Sequence, residues 1–333
     1  MKKNLENTIL TWGIIGAGDV CEKKSAPAMY KLPGSRVKSV MRRNAENARD
    51  FARRHNIPYA YDHADRIFED PEIDIVYIAT PPSSHSELAI RSAQAGKPAY
   101  VEKPMAINYK ACEAMNFAFR EAGLPLFVAY YRRCLPNFLK IKALIDEGAI
   151  GEVRTVNISM NKEVIPDNVR NLDDNWRVIP EIAGGGYFFD LASHQLDFLD
   201  FVFGPVKEAK GIAANQSGFY EAEDVVTAAF SFENGVVGSG SWCFTAGKSA
   251  NVDKTTITGS RGKIEYATFG GSTVHLYTDV RGSEEFHFEL PEHIQQNLVQ
   301  SILEEFRGNG TCPSTGISAA RTSLAMEMIV RGR

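Results

Sequence analysis

The sequence predicts two domains: an α/β domain built on a parallel sheet in residues 1–128, and an α+β domain with a large mixed, mostly antiparallel sheet in residues 129–333. Two patterns support this prediction. Short β-rich runs alternate with helical patterns at the start of the chain, which is typical of a parallel sheet covered on both faces. Later in the chain, several strands follow one another without long helices between them, which favours antiparallel pairing.

The elements of the first domain are predicted from apolar runs and from the glycines and prolines that end them. The predicted strands are Ile9–Ile15, Arg36–Met41, Ile73–Ala79 and Pro98–Val101. The predicted helices are Val20–Leu32, Ala45–His55 and Ser84–Ala95. Their order along the chain indicates β-α-β units, which pair in parallel.

The second domain is predicted to contain more strands than helices. Its predicted strands are Glu152–Met160, Asp224–Phe232, Gly235–Phe244, Val252–Thr258, Lys263–Ala267, Thr273–Tyr277 and Glu284–Phe288. Its predicted helices are Asn137–Glu147, Ala192–Phe203, His293–Phe306 and Ile317–Val330. Glu233-Asn234-Gly235 is a hairpin signal, because Asn-Gly favours the tight turns that join antiparallel strands.

Composition argues against several classes of protein. With 37 basic and 41 acidic residues the net charge is −4, which argues against non-specific nucleic-acid binding. No uncharged apolar run reaches the roughly 18–20 residues of a membrane-spanning helix, so we expect no membrane partner. The five cysteines are odd in number, widely spread and without a Cys-x-x-Cys pair. They indicate reduced thiols and hence the cytoplasm.

A glycine-rich turn, Gly16-Ala17-Gly18, follows the first predicted strand and leads into a predicted helix that begins near Asp19 and Val20. This is the position of a dinucleotide-binding fingerprint. Gly16 would permit the tight turn, and Gly18 would let the backbone approach a pyrophosphate at the start of the helix. Cys21 replaces the third glycine. The segment predicts a Rossmann nucleotide-binding domain, with an ordinary strand–turn–helix as the alternative.

The end of the second predicted strand bears on the choice of cofactor. NAD sites usually place an acidic side chain there to hold the ribose 2′-hydroxyl. Here the strand is followed by Arg42 and Arg43, and guanidinium groups suit a 2′-phosphate. The sequence therefore favours NADP over NAD, with a pair of solvated surface arginines as the alternative.

A second loop is predicted at the carboxyl edge of the sheet, where open α/β sheets bind ligands. Thr80, Pro81 and Pro82 follow the third predicted strand and would form a rigid shelf for a nicotinamide ribose, or simply a rigid turn. His85 follows at the start of the next helix and is included among the candidate cofactor residues.

Glu102 and Lys103 follow the fourth predicted strand at the same edge. A lysine there can hydrogen-bond a substrate oxygen and promote loss of a proton from an alcohol. The alternative is an exposed ion pair before a turn.

The second domain contributes a further candidate segment. Asp190 and His194 are four residues apart and share a face if the segment is helical, as a general acid–base pair requires. Gly184-Gly185-Gly186 precedes them and would allow a ligand to approach the backbone closely. One alternative is a capped helix with a buried histidine. A metal site that adds Asp197 is disfavoured, because the spacing is not that of catalytic zinc sites, and we expect no metal.

Taken together, these motifs resemble the Gfo/Idh/MocA family, named after glucose–fructose oxidoreductase and inositol dehydrogenase. The resemblance covers nearly the whole chain. Its motifs are Gly16-Ala17-Gly18, Ala79-Thr80-Pro81-Pro82 with His85, Ala95-Gly96-Lys97-Pro98, Glu102-Lys103-Pro104, Tyr131-Arg132-Arg133, Glu147-Gly148-Ala149-Ile150-Gly151-Glu152, Asn175-Trp176-Arg177, and Gly184-Gly185-Gly186 with Asp190, His194 and Asp197.

The resemblance implies an NAD(P)-dependent oxidoreductase acting on a hydroxyl or carbonyl of a sugar, cyclitol or related polyol. It implies a catalytic trio in which His194 exchanges the proton at the reacting oxygen, Lys103 anchors and polarises the substrate, and Asp190 positions the other two. It also implies a cis peptide before Pro104 and a homodimer or homotetramer formed through an open sheet face. Cys21 and the missing acidic residue depart from the pattern and affect cofactor preference.

Substrate contacts are predicted from aromatic and basic residues in the second domain. Trp176 could stack on a sugar ring, while arginines could bind hydroxyls or a carboxylate. The alternative is that these residues pack an interface between domains. The candidates are Tyr130, Tyr131, Arg132, Arg133, Lys162, Trp176 and Arg177.

Two other functions are compatible with the same motifs. One is a glycoside hydrolase in which tightly held NAD oxidises the sugar transiently. The other is a nucleotide sensor without catalysis, which the presence of Lys103, Asp190 and His194 argues against.

Overall fold

The computed structural model describes residues 9–164, 175–280 and 282–332. The chain forms two compact units. Unit 1 comprises the residues up to Ala106, Lys110–Cys134 and Pro291–Ala319, and unit 2 comprises Ile107–Tyr109, Leu135–Leu290 and the residues from Ala320. The sequence suggested two continuous segments, whereas Pro291–Ala319 returns to unit 1.

Unit 1 is built on a six-stranded parallel sheet, ordered β3-β2-β1-β4-β5-β6. This is the Rossmann strand order, so the predicted fold of the first domain is confirmed. Two strands, β3 and β6, were not predicted; each is three residues long. The strands are β1 Leu10–Ile15, β2 Ser35–Met41, β3 Tyr59–Tyr61, β4 Ile75–Ile78, β5 Ala99–Val101 and β6 Leu126–Val128.

Helices flank the strands in both units. The longer helix Tyr109–Ala122 was not predicted. In chain order the α-helices of the described residues are α1 Asp19–Lys23, α2 Ala26–Lys31, α3 Ala45–Arg54, α4 Asp65–Phe68, α5 His85–Gln94, α6 Tyr109–Ala122, α7 Pro136–Asp146, α8 Pro180–Ala183, α9 Ser193–Phe203, α10 Gln296–Arg307 and α11 Gly316–Arg331.

The helix predicted over Val20–Leu32 is broken into α1 and α2. Pro27 explains the break, because proline has no N–H to donate and its ring clashes with the carbonyl four residues earlier. That carbonyl belongs to Lys23, and its oxygen instead lies 2.7 Å from Nδ1 of His293. Since a carbonyl oxygen only accepts, this ring nitrogen is the donor. The break therefore ties α1 to the segment that precedes α10.

The core of unit 1 explains why the late segment belongs to it. Trp12, Tyr77 and Tyr100 lie fully buried in the centre of this core. One face of α10 packs into the same cluster through Leu298, Val299, Ile302 and Leu303. Because these apolar residues recur at helical spacing, α10 buries a continuous stripe against unit 1.

Unit 2 is built on an eight-stranded sheet, ordered β14-β13-β12-β11-β7-β10-β9-β8. Only β7 and β10 pair in parallel in the described part of this sheet, which confirms the predicted mixed and mostly antiparallel arrangement. The strands are β7 Val153–Glu163, β8 Val206–Ala214, β9 Val225–Phe232, β10 Val237–Ala246, β11 Val252–Gly259, β12 Gly262–Tyr266, β13 Thr273–Thr278 and β14 Gly282–His287.

The predicted hairpin is confirmed between β9 and β10. Gly235 has φ +89°, and Phe232 donates its N–H to the Val236 carbonyl at 2.8 Å. Strand β8 was not predicted, because as an edge strand it carries Lys207, Lys210 and an exposed Ile212 rather than a regular apolar alternation.

Helix α9 is almost entirely buried in unit 2. The Phe198 ring packs edge-on against Phe138 and Tyr266, with centroids 4.7 and 5.8 Å away. Gln195 accepts a 2.7 Å hydrogen bond from the Trp242 indole on β10. These contacts fix α9 against one face of the sheet. No helix in the described ranges is both long and apolar enough to cross a membrane.

Candidate functional site

The two glycines of the turn in unit 1 have different roles: the fold requires Gly16, whereas Gly18 leaves open space beside the backbone. Gly16 has φ +86°, and a Cβ there would lie 2.7 Å from the backbone nitrogen of Thr80. At Gly18 the nearest atom to such a Cβ is the Gly16 carbonyl oxygen, 3.8 Å away. Asp19 and Val20 begin α1, where N–H groups have no acceptor within the helix. The turn therefore leaves room for the phosphates of a dinucleotide.

Cys21 occupies the position of the third glycine of the fingerprint. The side chain is fully buried in the core of unit 1, and burial raises the pKa of its thiol to about 12. The thiol therefore stays protonated and acts as a small packing group between α1 and the sheet.

Arg42 and Arg43 follow β2 directly, beside the strand that carries the glycine turn. Arg42 is half-buried and Arg43 is exposed. In the part of the chain that the structure describes, neither guanidinium forms an ion pair with a carboxylate.

The Thr80 loop is held from inside the protein. The hydroxyl of Thr80 accepts a 2.7 Å hydrogen bond from Ser84. His85 is fully buried, with Nε2 2.7 Å from the Thr80 carbonyl oxygen and Nδ1 3.1 Å from the Pro104 carbonyl oxygen. Both ring nitrogens face protein carbonyls, so the prediction that His85 contacts the cofactor is revised. The ring instead ties together the loops that follow β4 and β5.

Burial also sets the protonation of His85. Desolvation lowers its pKa, although the carbonyl oxygens of Thr80, Pro104 and Met105 favour the charged ring. The net shift is downward, so the imidazole is neutral at physiological pH and donates its single N–H to only one of the two carbonyl groups.

Glu102 is only 8% exposed, so the alternative of an exposed Glu102–Lys103 pair is wrong for the glutamate. Its Oε1 accepts hydrogen bonds from the Tyr77 hydroxyl at 2.6 Å and from Nε2 of Gln295 at 2.7 Å. Its Oε2 accepts the backbone N–H of Lys103 at 3.2 Å. The carboxylate therefore fixes the backbone from which the lysine side chain projects.

Gln295 was missed by the sequence analysis. It lies far along the chain from Glu102, and no local pattern links the two residues. The Tyr100 hydroxyl donates to Oε1 of Gln295 at 2.7 Å, so the amide bridges Glu102 and Tyr100. Burial raises the pKa of Tyr77 and of Tyr100 well above their usual values, so both remain neutral donors.

Lys103 itself is half-buried at the end of this network. The Lys103–Pro104 peptide is cis, as the resemblance implies.

The Tyr131-Arg132-Arg133 motif lies in unit 1, in a 3₁₀ turn that spans Tyr131–Cys134. Arg132 and Arg133 are 4% and 3% exposed. The Arg132 guanidinium lies 5.0 Å from the Tyr131 ring centroid, and Arg133 donates to the Pro313 carbonyl at 3.1 Å. The prediction that these residues belong to the second domain is therefore wrong.

Asp190 and His194 lie on successive turns in unit 2. Asp190 is in a π-helical turn, Phe188–Ala192, that leads directly into α9, where His194 is 3% exposed. Single π-helical turns recur at functional sites. Oδ2 of Asp190 lies 3.6 Å from Nε of Arg177, whose guanidinium is 4.7 Å from the Trp176 ring centroid. Arg177 thus lies beside the Asp190 carboxylate, and the Trp176 ring packs against Arg177.

The three glycines before Asp190 serve the packing of unit 2. A Cβ on Gly184, which has φ +85°, would lie 2.5 Å from the Ile107 carbonyl oxygen. Side chains at Gly185 and Gly186 would collide with Phe189 and Ala222. The prediction that these glycines let a ligand approach is therefore wrong, because the protein itself fills the space.

Asp197 is 1% exposed and accepts a 3.3 Å hydrogen bond from the Thr322 hydroxyl. Within residues 9–164, 175–280 and 282–332, no three histidine, cysteine or acidic side chains are grouped as metal ligands.

Comparison with known proteins identifies the family. Residues 10–130 match the model of an oxidoreductase family with an NAD-binding Rossmann fold, and residues 138–265 match the GFO/IDH/MocA C-terminal domain. The chain belongs to the GFO/IDH/MocA family. The resemblance drawn from the sequence is thereby confirmed, and this GFO/IDH/MocA protein is an oxidoreductase with an NAD-binding domain.

Relatives of this GFO/IDH/MocA protein include Oxidoreductase P35 from Formosa agariphila, which is 37% identical over 319 residues, 96% of this chain and 98% of that protein. A trans-1,2-dihydrobenzene-1,2-diol dehydrogenase from Bos taurus is 29% identical over 259 residues, 77% of this chain and 73% of that one.

A solved levoglucosan dehydrogenase in complex with NADH and levoglucosan superposes with a TM-score of 0.85 at 24% identity, over 96% of each chain. An aldose-aldose oxidoreductase from Caulobacter crescentus gives 0.84 at 24% identity, over 96% of this chain and 95% of that one. At this identity the likeness shows the fold.

Proposed function

We propose that the protein transfers hydride between a nicotinamide cofactor and a hydroxyl or carbonyl of a sugar, cyclitol or related polyol. One observation carries the proposal: a half-buried lysine, Lys103, projects from a backbone fixed by the buried Glu102 at the carboxyl edge of an NAD-binding sheet. Ligands of open α/β sheets bind at this edge. Relatives named as dehydrogenases support the same chemistry.

Three side chains are proposed to act in the reaction. His194 exchanges the proton of the reacting oxygen, Lys103 binds and polarises that oxygen, and Asp190 positions the other two. A bound nicotinamide supplies hydride transfer. General acid–base catalysis of this kind contributes typically 10²- to 10⁴-fold in rate.

The cofactor is proposed to bind along the carboxyl edge of the unit 1 sheet. Open space at Gly18 and the uncapped N–H groups of Asp19 and Val20 support phosphate binding there. We favour NADP, because no carboxylate pairs with Arg42 or Arg43 among the described residues. The other proposed cofactor residues are Gly16, Thr80, Pro81, Pro82, Glu102 and Lys103, while His85 acts through the two loops it ties together.

Trp176 and Arg177 are proposed to contact the substrate, because Arg177 lies beside Asp190 and the Trp176 ring packs against the Arg177 guanidinium. Tyr131 and Arg132 are proposed as contacts from unit 1; Tyr131 is half-buried, whereas Arg132 is buried and has few exposed atoms.

The decisive experiment is a screen of sugars, sugar acids and cyclitols with NAD⁺ and NADP⁺, followed by nicotinamide absorbance. Lys103→Ala should lose at least about a hundredfold in kcat, since it removes a group used in the reaction itself, and it should weaken cofactor binding far less, because the other cofactor contacts remain. A Lys103→Ala variant with wild-type turnover would contradict the proposal. Adding His194→Ala should cost less than the product of the two single losses, because the two residues act as a unit.

We further propose that the protein is a cytoplasmic homodimer or homotetramer. Its cysteines are all free thiols, which supports a reducing compartment. The outward face of the unit 2 sheet supports self-association, because Ile212 and Val237 on it are 75% and 52% exposed. Val237→Lys should shift the molar mass measured by light scattering towards the monomer. An unchanged mass would place the interface elsewhere.

A further inference from the structure

The loop that follows β12 is shaped by one carboxylate. Asp253 on β11 accepts three backbone N–H groups: those of Thr268 at 3.0 Å, Phe269 at 2.5 Å and Gly270 at 3.1 Å. A carboxylate that accepts three N–H bonds fixes the backbone of a short loop, because charge-assisted hydrogen bonds are the stronger ones. The half-buried side chain of Phe269 is therefore held in a defined position.

That position is beside the proposed proton-transfer residue. The Phe269 ring lies edge-to-face with the imidazole of His194, with centroids 5.7 Å apart and an angle of 77° between the planes. The Phe269 ring therefore forms part of the immediate surroundings of His194.

A cation lies over the same ring. Nζ of Lys162 is 5.7 Å from the Phe269 centroid. Val156, Ile158 and Met160 on β7 point to the buried face of the sheet, and the alternation along a strand places Lys162 on that face too. The lysine and His194 therefore lie on the same side of the sheet, with Phe269 between them.

The charge of Lys162 is not neutralised by a carboxylate among the described residues. Three other basic groups of unit 2 do have carboxylate partners: Lys254 and Lys263 lie 3.0 and 2.7 Å from Glu265, and Arg177 pairs with Asp190. A neutral substrate that covers Lys162 would remove water from an unpaired charge, which is costly, whereas an anionic substituent offsets that cost.

We propose that Lys162 and Phe269 form a subsite beside His194 that binds the carboxylate of a sugar acid. The inference rests on the proposed function and narrows its substrate class from neutral sugars to uronic and related acids. A carboxylate is favoured over a phosphate, because a single ammonium is a point charge and a phosphate group takes several donors. Phe269 would contact the C–H groups of the sugar ring.

The test compares each sugar with its acid: D-glucose with D-glucuronate, and D-galactose with D-galacturonate. We expect kcat/KM to be at least about tenfold higher for the acids, the effect of one charge-assisted contact. In Lys162→Met this ratio should fall at least about tenfold, and Lys162→Arg should restore part of it. Lys254→Met is the matched control, because its lysine lies on the opposite face of the same sheet, and it should keep the wild-type ratio.

Other outcomes would overturn the inference. A wild-type enzyme that prefers the neutral sugars, or a Lys162→Met variant with an unchanged ratio, would do so while leaving the proposed function intact. A higher kcat/KM for D-glucose 6-phosphate than for D-glucuronate would show that the subsite binds a phosphate and would overturn its assignment to a carboxylate. If no compound is oxidised or reduced, the proposed function fails. Calorimetric binding of D-glucuronate that depends on Lys162 would then still support the subsite, and binding independent of Lys162 would refute it.

Discussion

Alanine at Gly16 should lower the stability of the fold, whereas alanine at Gly18 should weaken cofactor binding, although the two residues belong to one turn. At Gly16 the new Cβ would lie 2.7 Å from the backbone nitrogen of Thr80 and 2.9 Å from the carbonyl carbon of Ala79. Backbone atoms on the far side cannot rotate away as a side chain could. The residue also has φ +86°, a conformation that alanine adopts at a cost.

The magnitude for Gly16→Ala follows from these two effects. A left-handed conformation costs roughly 1–2 kcal/mol for an L-residue, and overpacking costs typically 1–3 kcal/mol. Together they should lower the free energy of unfolding by about 2–5 kcal/mol, a large share of the 5–15 kcal/mol typical of a domain. Urea denaturation followed by circular dichroism measures this loss directly.

Gly18→Ala is the matched variant. Gly18 has φ −98° and ψ −161°, an extended conformation open to alanine, and no atom within 3.4 Å of the new Cβ. Its stability should therefore stay within about 1 kcal/mol of wild type. The methyl group would fill the space proposed for the phosphates, so the Kd for NADPH, measured by fluorescence titration, should rise at least about tenfold. Equal stability of both variants, or unchanged cofactor binding in Gly18→Ala, would refute the reasoning.

Three further predictions concern unit 1. Replacing Arg42 and Arg43 by alanine should raise KM for NADPH at least about tenfold relative to NADH, and an equal effect on both cofactors would reject the 2′-phosphate assignment. Burial holds the pKa of folded His85 below its unfolded value of about 6.5, so the unfolded state binds a proton first and stability is lost as pH falls through that range. Urea midpoints measured from about pH 8 to pH 5 should show this loss, and His85→Gln should flatten it. Gln295→Leu should lower the unfolding free energy by about 1–3 kcal/mol, because Glu102 loses a buried donor, whereas Gln300→Leu on the same helix should change it less.

Local sequence patterns predicted both sheets and most of their strands. A short apolar run precedes Gly16, and a glycine at its end is typical of a tight turn. The same segment therefore predicted both the strand and the turn that follows it. Strands β3 and β6, each three residues long, were not predicted, and β8 was not predicted because an edge strand needs no apolar alternation. The break between α1 and α2 could have been predicted from Pro27, because its missing N–H is a local property of the sequence.

The roles of buried polar groups were predicted less well. His85 lies at a sheet edge where a ligand contact is expected, yet its ring nitrogens face the carbonyl oxygens of Thr80 and Pro104. The glycines before Asp190 suggest space for a ligand, yet Ile107 and its neighbours occupy that space. In both cases the sequence identified an unusual residue and could not identify its neighbour.

By itself, the sequence determined the order of elements, the glycine turn and the succession of motifs that places the protein in its family, because these depend on spacing along the chain. Only the tertiary structure decided which side chains meet: Gln295 with Glu102, His293 with the Lys23 carbonyl, and Phe269 with His194. Each of these contacts joins segments distant in sequence. Tertiary packing determines such contacts, and local sequence patterns do not predict them.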